Sequence, residues 1–142
     1  MNNSIATPPG YSDPTYLGNA AINAPLDCNG DNTYMGYKLF QGKPFDISLC
    51  AAACTAQTQY NLAHPPQNGA PMTCQFYNTY ILLKNGQNVG QYCSLYNETW
   101  SASYATNYGQ YRGSDHYTIE YSYSNSNATD AGVCQKAPTV AY

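Results

Sequence analysis

Six cysteines, Cys28, Cys50, Cys54, Cys74, Cys93 and Cys134, constrain this chain more than any other feature. An even number of well-separated cysteines in a short polar sequence reads as a disulfide framework, which persists in oxidising compartments. The spacing argues against zinc: there is no CxxC pair, and His64 and His116 stand in no HxxxH arrangement. The sequons Asn2-Asn3-Ser4, Asn97-Glu98-Thr99 and Asn127-Ala128-Thr129 fit glycosylation at Asn2, Asn97 and Asn127, and hence export. The expected setting is extracellular, secreted or cell-wall associated. No metal and no cofactor is expected.

A chain of 142 residues accommodates one domain with a modest core. Only 9% of its residues are charged, the net charge is −3, and the five basic side chains (Lys38, Lys43, Lys84, Arg112, Lys136) are scattered. Nucleic acid is therefore not an expected partner, since phosphate binding needs clustered cations. Polarity comes instead from amides, hydroxyls and sixteen tyrosines, which suits hydrogen bonding to neutral partners. No segment has the apolar length of a membrane span. Met1-Asn2-Asn3-Ser4 has neither the basic nor the apolar region of a signal peptide. The expectation is that a secretion signal has been removed, or that the domain comes from a longer chain.

Residues 1–25, rich in Pro, Gly, Asn and Ala, read as a linker or a surface-hugging arm, residues 26–135 as the folded unit and 136–142 as a tail. Tyr34 to Phe40 reads as a strand and Gln41 to Pro44 as a turn. Asp46 or Ser48 can cap a helix running to about Tyr60, whose alanines favour that conformation. Cys50 and Cys54 share one face of it at one-turn spacing. Cβ atoms so placed lie about 5–6 Å apart, against roughly 3.8 Å in a disulfide, so each must bond a different partner. Asn61 to Met72 is a loop broken by Pro65-Pro66, Asn68-Gly69 and Pro71.

From Cys74 to Tyr96 the pattern is a β-hairpin turning at Asn85-Gly86. A two-residue loop there sets Leu82 opposite Val89, Asn78 opposite Cys93 and Phe76 opposite Leu95. One face then carries Cys74, Phe76, Tyr80, Leu82, Val89, Cys93 and Leu95. The other carries Tyr77, Thr79, Ile81, Leu83, Tyr92, Ser94 and Tyr96. The first is the face a helix bearing two cysteines would cover. Trp100 to Ser114 reads as a polar, aromatic-rich loop, Tyr117 to Tyr123 as a further strand and Asn125 to Asp130 as a turn. The helix cysteines would then pair with Cys74 and Cys93, which leaves Cys28 for Cys134; spacing alone does not say which helix cysteine takes which partner.

These pieces together resemble the PAN/apple family: two cysteines four apart on a helix, then Cys74-Gln75-Phe76, then Cys93-Ser94-Leu95-Tyr96. The stretches Cys74 to Tyr80 and Gly90 to Tyr96 look like secreted fungal members. The resemblance spans Cys28 to Cys134. It implies an α+β disulfide-rich domain, an antiparallel β-sheet with one α-helix packed across it. It also implies the nested pairing Cys28–Cys134, Cys50–Cys93 and Cys54–Cys74.

Candidate chemistry is sparse. Ser114, Asp115 and His116 adjoin in sequence and so do not converge as a triad must. Asp27 to Asn32 loosely matches a calcium loop but lacks its sixth-position glycine and has Lys38 where a bidentate Glu belongs, so a turn around Cys28 is favoured. None of the eight carboxylates forms an evident catalytic pair. The set with most to offer a ligand is Trp100, Tyr104, Tyr108, Tyr111, Arg112, Asp115 and His116, since aromatic rings with polar neighbours suit sugar faces or protein hot spots. The leading expectation is a secreted, non-enzymatic recognition or adhesion module for carbohydrate or an extracellular protein. A self-assembling structural protein is the alternative, and a small secreted hydrolase the third.

Overall fold

The computed structural model describes residues 7–127. Its centre is an antiparallel hairpin of β4 (Phe76–Lys84) and β5 (Gln87–Tyr96), turning at Asn85-Gly86 as the sequence requires. β3 (Tyr34–Phe40) pairs with β5 and forms one edge. On the other side β4 pairs with the long β8 (Asp115–Ser126). Two short strands share the outer side of β8: β1 (Thr15–Gly18) lies along its carboxyl-terminal half and β7 (Gln110–Arg112) along its start. A separate ribbon pairs β2 (Ala21–Ile22) with β6 (Ala105–Asn107), the latter following the 3-10 turn Ala102–Tyr104 in the chain.

One helix, α1 (Ile47–Ala63), packs across β4. Its cap is Asp46, whose carboxylate accepts from Ser48 N at 2.9 Å and Ser48 Oγ at 2.7 Å. The buried Gln91 of β5 fastens this end to the sheet. It accepts from Asp46 N at 3.0 Å and donates to Asp46 O and Thr79 Oγ1 at 2.9 Å each. The helix runs past the expected end at Tyr60, because Pro65 is the first residue that cannot continue it and the side chain of Asn61 finds Met72 O at 2.9 Å. Its inner face is Ile47, Cys50, Ala51 and Cys54.

Both helix cysteines bond to the sheet layer, Cys50 to Cys93 and Cys54 to Cys74, with Cα separations of 5.6 and 5.3 Å. They close loops spanning 43 and 20 residues, each stabilising the fold by roughly 3–4 kcal/mol on chain-entropy grounds. Cys134, expected to bond Cys28, lies outside the described residues. The coarse expectation thus holds: a small α+β domain, an antiparallel sheet crossed by one helix and tied to it by disulfides.

The expected hairpin faces are wrong in one decisive respect. Leu83 stands opposite Asn88, but Leu82 stands opposite Gly90, so Val89 is an extra residue and a β-bulge shifts the register. Beyond it every β5 side chain changes partner: Cys93 faces Thr79, Leu95 faces Tyr77 and Tyr96 faces Phe76. Cys93 and Leu95 therefore share the helix side with Tyr77 and Thr79, not with Phe76 and Tyr80. Cys74 reaches the same side because it precedes the strand. Gly90 permits the bulge. Its φ is +150°, and a Cβ there would come within 2.7 Å of the Phe40 carbonyl oxygen. β8 carries a second bulge at Tyr121, where φ is +52°.

Two cores result. Tyr11, Ile47, Cys50, Ala51, Cys54, Cys74, Tyr77, Cys93 and Leu95 fill the helix side. On the opposite side Ile22 packs with Phe76, Tyr96 and Trp100, and Ala21 with Tyr80 and Ile119. Of the stretch read as a linker or arm, residues 7–25 supply β1, β2 and the buried Tyr11, whose hydroxyl donates to Ala51 O at 3.2 Å. Of the turn expected over Asn125 to Asp130, Asn125 and Ser126 are strand instead, since β8 continues to Ser126, and Asn127 bridges Tyr11; the rest of that segment lies outside the described residues. Asn78, fully buried, holds the ribbon down. Its Oδ1 accepts from Ile22 N at 2.8 Å, and its Nδ2 donates to Ser122 Oγ and Tyr123 O at 2.9 Å each.

Candidate functional site

The bulge that turns Cys93 towards the helix turns Tyr92, Ser94 and Tyr96 the other way. There they join Tyr37 and Leu39 of β3, Tyr80 and Leu82 of β4, and Tyr117 and Ile119 of β8. These side chains line a cleft of about 500 Å³, walled on one side by Ala21, Ile22, Asn107, Gly109, Gln110 and Arg112. Gly109 lets the β6–β7 connection descend onto β8, since a Cβ at this residue, whose φ is +112°, would collide with the Tyr117 carbonyl.

The floor is a row of rings. Tyr37 stacks on Tyr92 (centroids 5.0 Å apart, planes within 4°), and Tyr92 stacks on Tyr80 (5.3 Å, 15°). Tyr37, on the edge strand, is 57% exposed and closes the row. Burial raises the phenol pKa of Tyr80 and Tyr92 well above 10 and pushes that of Tyr96 up to about 12. For Tyr92, hydrogen bonding to Tyr34 raises it further, while the positive charge of Arg112 works the other way. These hydroxyls stay protonated throughout the physiological range and can both donate and accept.

The residues expected to bind ligand do not form one surface. Trp100 is buried: its indole N–H donates to Thr33 Oγ1 at 3.0 Å, and its ring belongs to the core of Ile22, Phe76 and Tyr96. Tyr104 meets it edge-on at 5.0 Å. Tyr108 is 69% exposed on the connection before β7. Tyr111 stacks on His116 at 4.1 Å, on the opposite face of the β7–β8 pair from Arg112 and Asp115. Asp115 and His116 thus point to opposite faces, which separates the adjacent Ser114, Asp115 and His116. Asp115 pairs with Lys84 at 3.7 Å and accepts from Asn85 Nδ2 at 3.0 Å. Of the expected set only Arg112 lines the cleft.

The segment expected as a loop after Trp100 instead supplies β6 and β7, which form one wall. Sequence reading missed Tyr37, Tyr80, Tyr92, Tyr96 and Tyr117. The available signal was Gly90 inside a strand pattern, a mark of bulges.

Other sequence features have structural occupations. Asp27 Oδ1 accepts from Asn29 N and Asp31 N at 2.8 and 2.9 Å, an Asx turn as favoured over the calcium reading. His64 stacks on Tyr60 at the end of α1. Among the described residues no group of three or more His, Cys, Asp or Glu could hold a metal ion, and no helix is long and apolar enough to cross a membrane. Of the sequon asparagines, Asn97 is half-buried and donates its backbone N–H to Thr33 O at 2.9 Å, while Asn2 lies outside the described residues.

The fold and cleft define a small disulfide-bonded α+β domain with a tyrosine-floored groove on the sheet face away from its helix. No protein-family model, no curated protein and no solved structure matches the chain.

Proposed function

We propose that this is a secreted, non-enzymatic recognition domain of PAN/apple-like type that binds carbohydrate in the tyrosine cleft. One observation carries the reading: Tyr37, Tyr80 and Tyr92 stand as a stacked row on the floor of a 500 Å³ groove that Tyr96 and Tyr117 also line. Stacking leaves the outer face of the exposed Tyr37 for the C–H face of a sugar, and the tyrosine hydroxyls along the row can donate to and accept from sugar hydroxyls. The disulfides and the low charge content fit a cell wall or matrix.

An array of cell-wall polysaccharides, followed by calorimetric titration of the hits, tests this. Binding should weaken about tenfold in Tyr37→Ala and stay unchanged in Tyr111→Ala, which removes a still more exposed ring from the opposite face. Absence of binding at millimolar protein, or equal loss in both variants, would reject the cleft.

A second reading is favoured by β3, which is an edge of the sheet and exposes Tyr34, Tyr37 and Leu39. Such an edge can pair with another copy. A molecular mass by light scattering that stays monomeric at all concentrations would remove it.

A further inference from the structure

Arg112 is the sole arginine of the chain, and among the described residues lining the cleft it alone carries a charge. Its cross-strand neighbour is Asp115, yet that carboxylate is engaged by Lys84 and Asn85. The guanidinium lies 5.0 Å from the centre of the Tyr117 ring, a cation–π contact that fixes its plane. With its amide oriented to satisfy both groups, Gln110 accepts from Arg112 Nε and Nη2 at 2.8 Å each. Both partners are neutral. They orient the cation without cancelling it, and the remaining N–H donors of the fork stay available. Its charge reaches Tyr92 across the groove and offsets a small part of the rise that burial gives that phenol's pKa.

The guanidinium is exposed and oriented, and no carboxylate among the described residues forms an ion pair with it beside this row of neutral rings. We propose that the cleft takes an acidic saccharide, a uronate-containing oligomer whose carboxylate lies against Arg112 while its sugar rings run along Tyr117, Tyr92 and Tyr37. The planar fork matches a carboxylate in two parallel hydrogen bonds. A neutral sugar would leave the guanidinium facing bound water. The inference rests on the carbohydrate reading of the cleft and adds its ligand class.

The test is calorimetric titration of three oligosaccharides of matched length, an oligogalacturonate, a neutral oligogalactan and a sulfated oligogalactan, against the whole chain and the variants Arg112→Gln, Arg112→Lys and Tyr37→Ala. The oligogalacturonate should bind best and weaken as salt rises. Its affinity should fall about tenfold in Arg112→Gln and by less in Arg112→Lys, which keeps the charge but not the fork. The neutral oligomer should bind more weakly and lose less than the oligogalacturonate in both substitutions. Unchanged thermal melting of the variants is expected from the exposure of Arg112 and certifies the comparison. If the neutral oligomer binds as tightly and only Tyr37→Ala weakens it, the carbohydrate reading stands and the acidic assignment falls. Preference for the sulfated oligomer would overturn the uronate assignment. If none of the three binds and the array is also blank, both readings fall.

Discussion

Asn78 is where the cleft is most exposed to a single substitution. Its side chain makes three hydrogen bonds in the sheet interior: one holds the β2 ribbon through Ile22 N, and two hold the bulged part of β8 through Ser122 Oγ and Tyr123 O. Asn78→Ala leaves the Ile22 N–H without its acceptor, takes a donor from Tyr123 O and opens a small void. A stranded buried polar group costs about 1–3 kcal/mol and the void about 1 kcal/mol. The expected loss is about 3–5 kcal/mol, a large share of what a domain of this size has. Urea unfolding under non-reducing conditions should show the midpoint falling by about 2 M at unchanged slope. Asn78→Asp separates the hydrogen-bond explanation from the void. It keeps the acceptor for Ile22 but loses both donors at neutral pH, and protonation of the new carboxyl returns one of them. Its deficit should therefore shrink on acidification, whereas that of Asn78→Ala should not. A loss under 1 kcal/mol in Asn78→Ala, or no pH dependence in Asn78→Asp, would refute the clamp.

Three further outcomes are expected. Trp100, the only tryptophan, should emit at short wavelength as a buried indole and stay unmoved by saccharide, and Trp100→Phe should cost about 1–2 kcal/mol through loss of the Thr33 bond and some volume, as chemical denaturation would measure. Gly90→Ala should destabilise by about 1–3 kcal/mol in the same assay, because the new Cβ presses on the Phe40 carbonyl in a backbone conformation that suits glycine. Above pH 10 an unfolded chain releases phenolic protons that the folded chain still holds on Tyr77, Tyr80, Tyr92 and Tyr96. Stability should therefore fall from pH 10 towards about 12 for Tyr96, by at most about 1.4 kcal/mol per pH unit for each of Tyr77, Tyr80 and Tyr96 and by less for the more exposed Tyr92, whose charge water screens. Ultraviolet titration would show exposed tyrosines ionising first and the buried ones only as the fold is lost.

Local signals were legible in the sequence where one interaction dominates. The Asp46 cap, the strand Tyr34–Phe40 and the Asn85-Gly86 turn each depend on neighbouring residues, and all three occur as expected. The hairpin faces were not legible, because one extra residue at Val89 inverts every assignment beyond it, and the close approach of Phe40 that requires glycine at position 90 is distant in sequence. The same displacement hid the cleft. With Tyr92 and Tyr96 assigned to the wrong side from Tyr80, the rings could not be seen as one row. Trp100 drew attention as a polar-loop aromatic, whereas a partner as remote in sequence as Thr33 decides that it is core.

The most direct test of the cleft is a nuclear magnetic resonance titration of tyrosine-labelled protein with the oligogalacturonate. Ring signals of Tyr37, Tyr92 and Tyr117 should shift together and saturate at one stoichiometry, while those of Tyr16, Tyr60 and Tyr121, exposed elsewhere, stay in place. Shifts confined to Tyr60, Tyr111 or Tyr121, or none at saturating sugar, would contradict it.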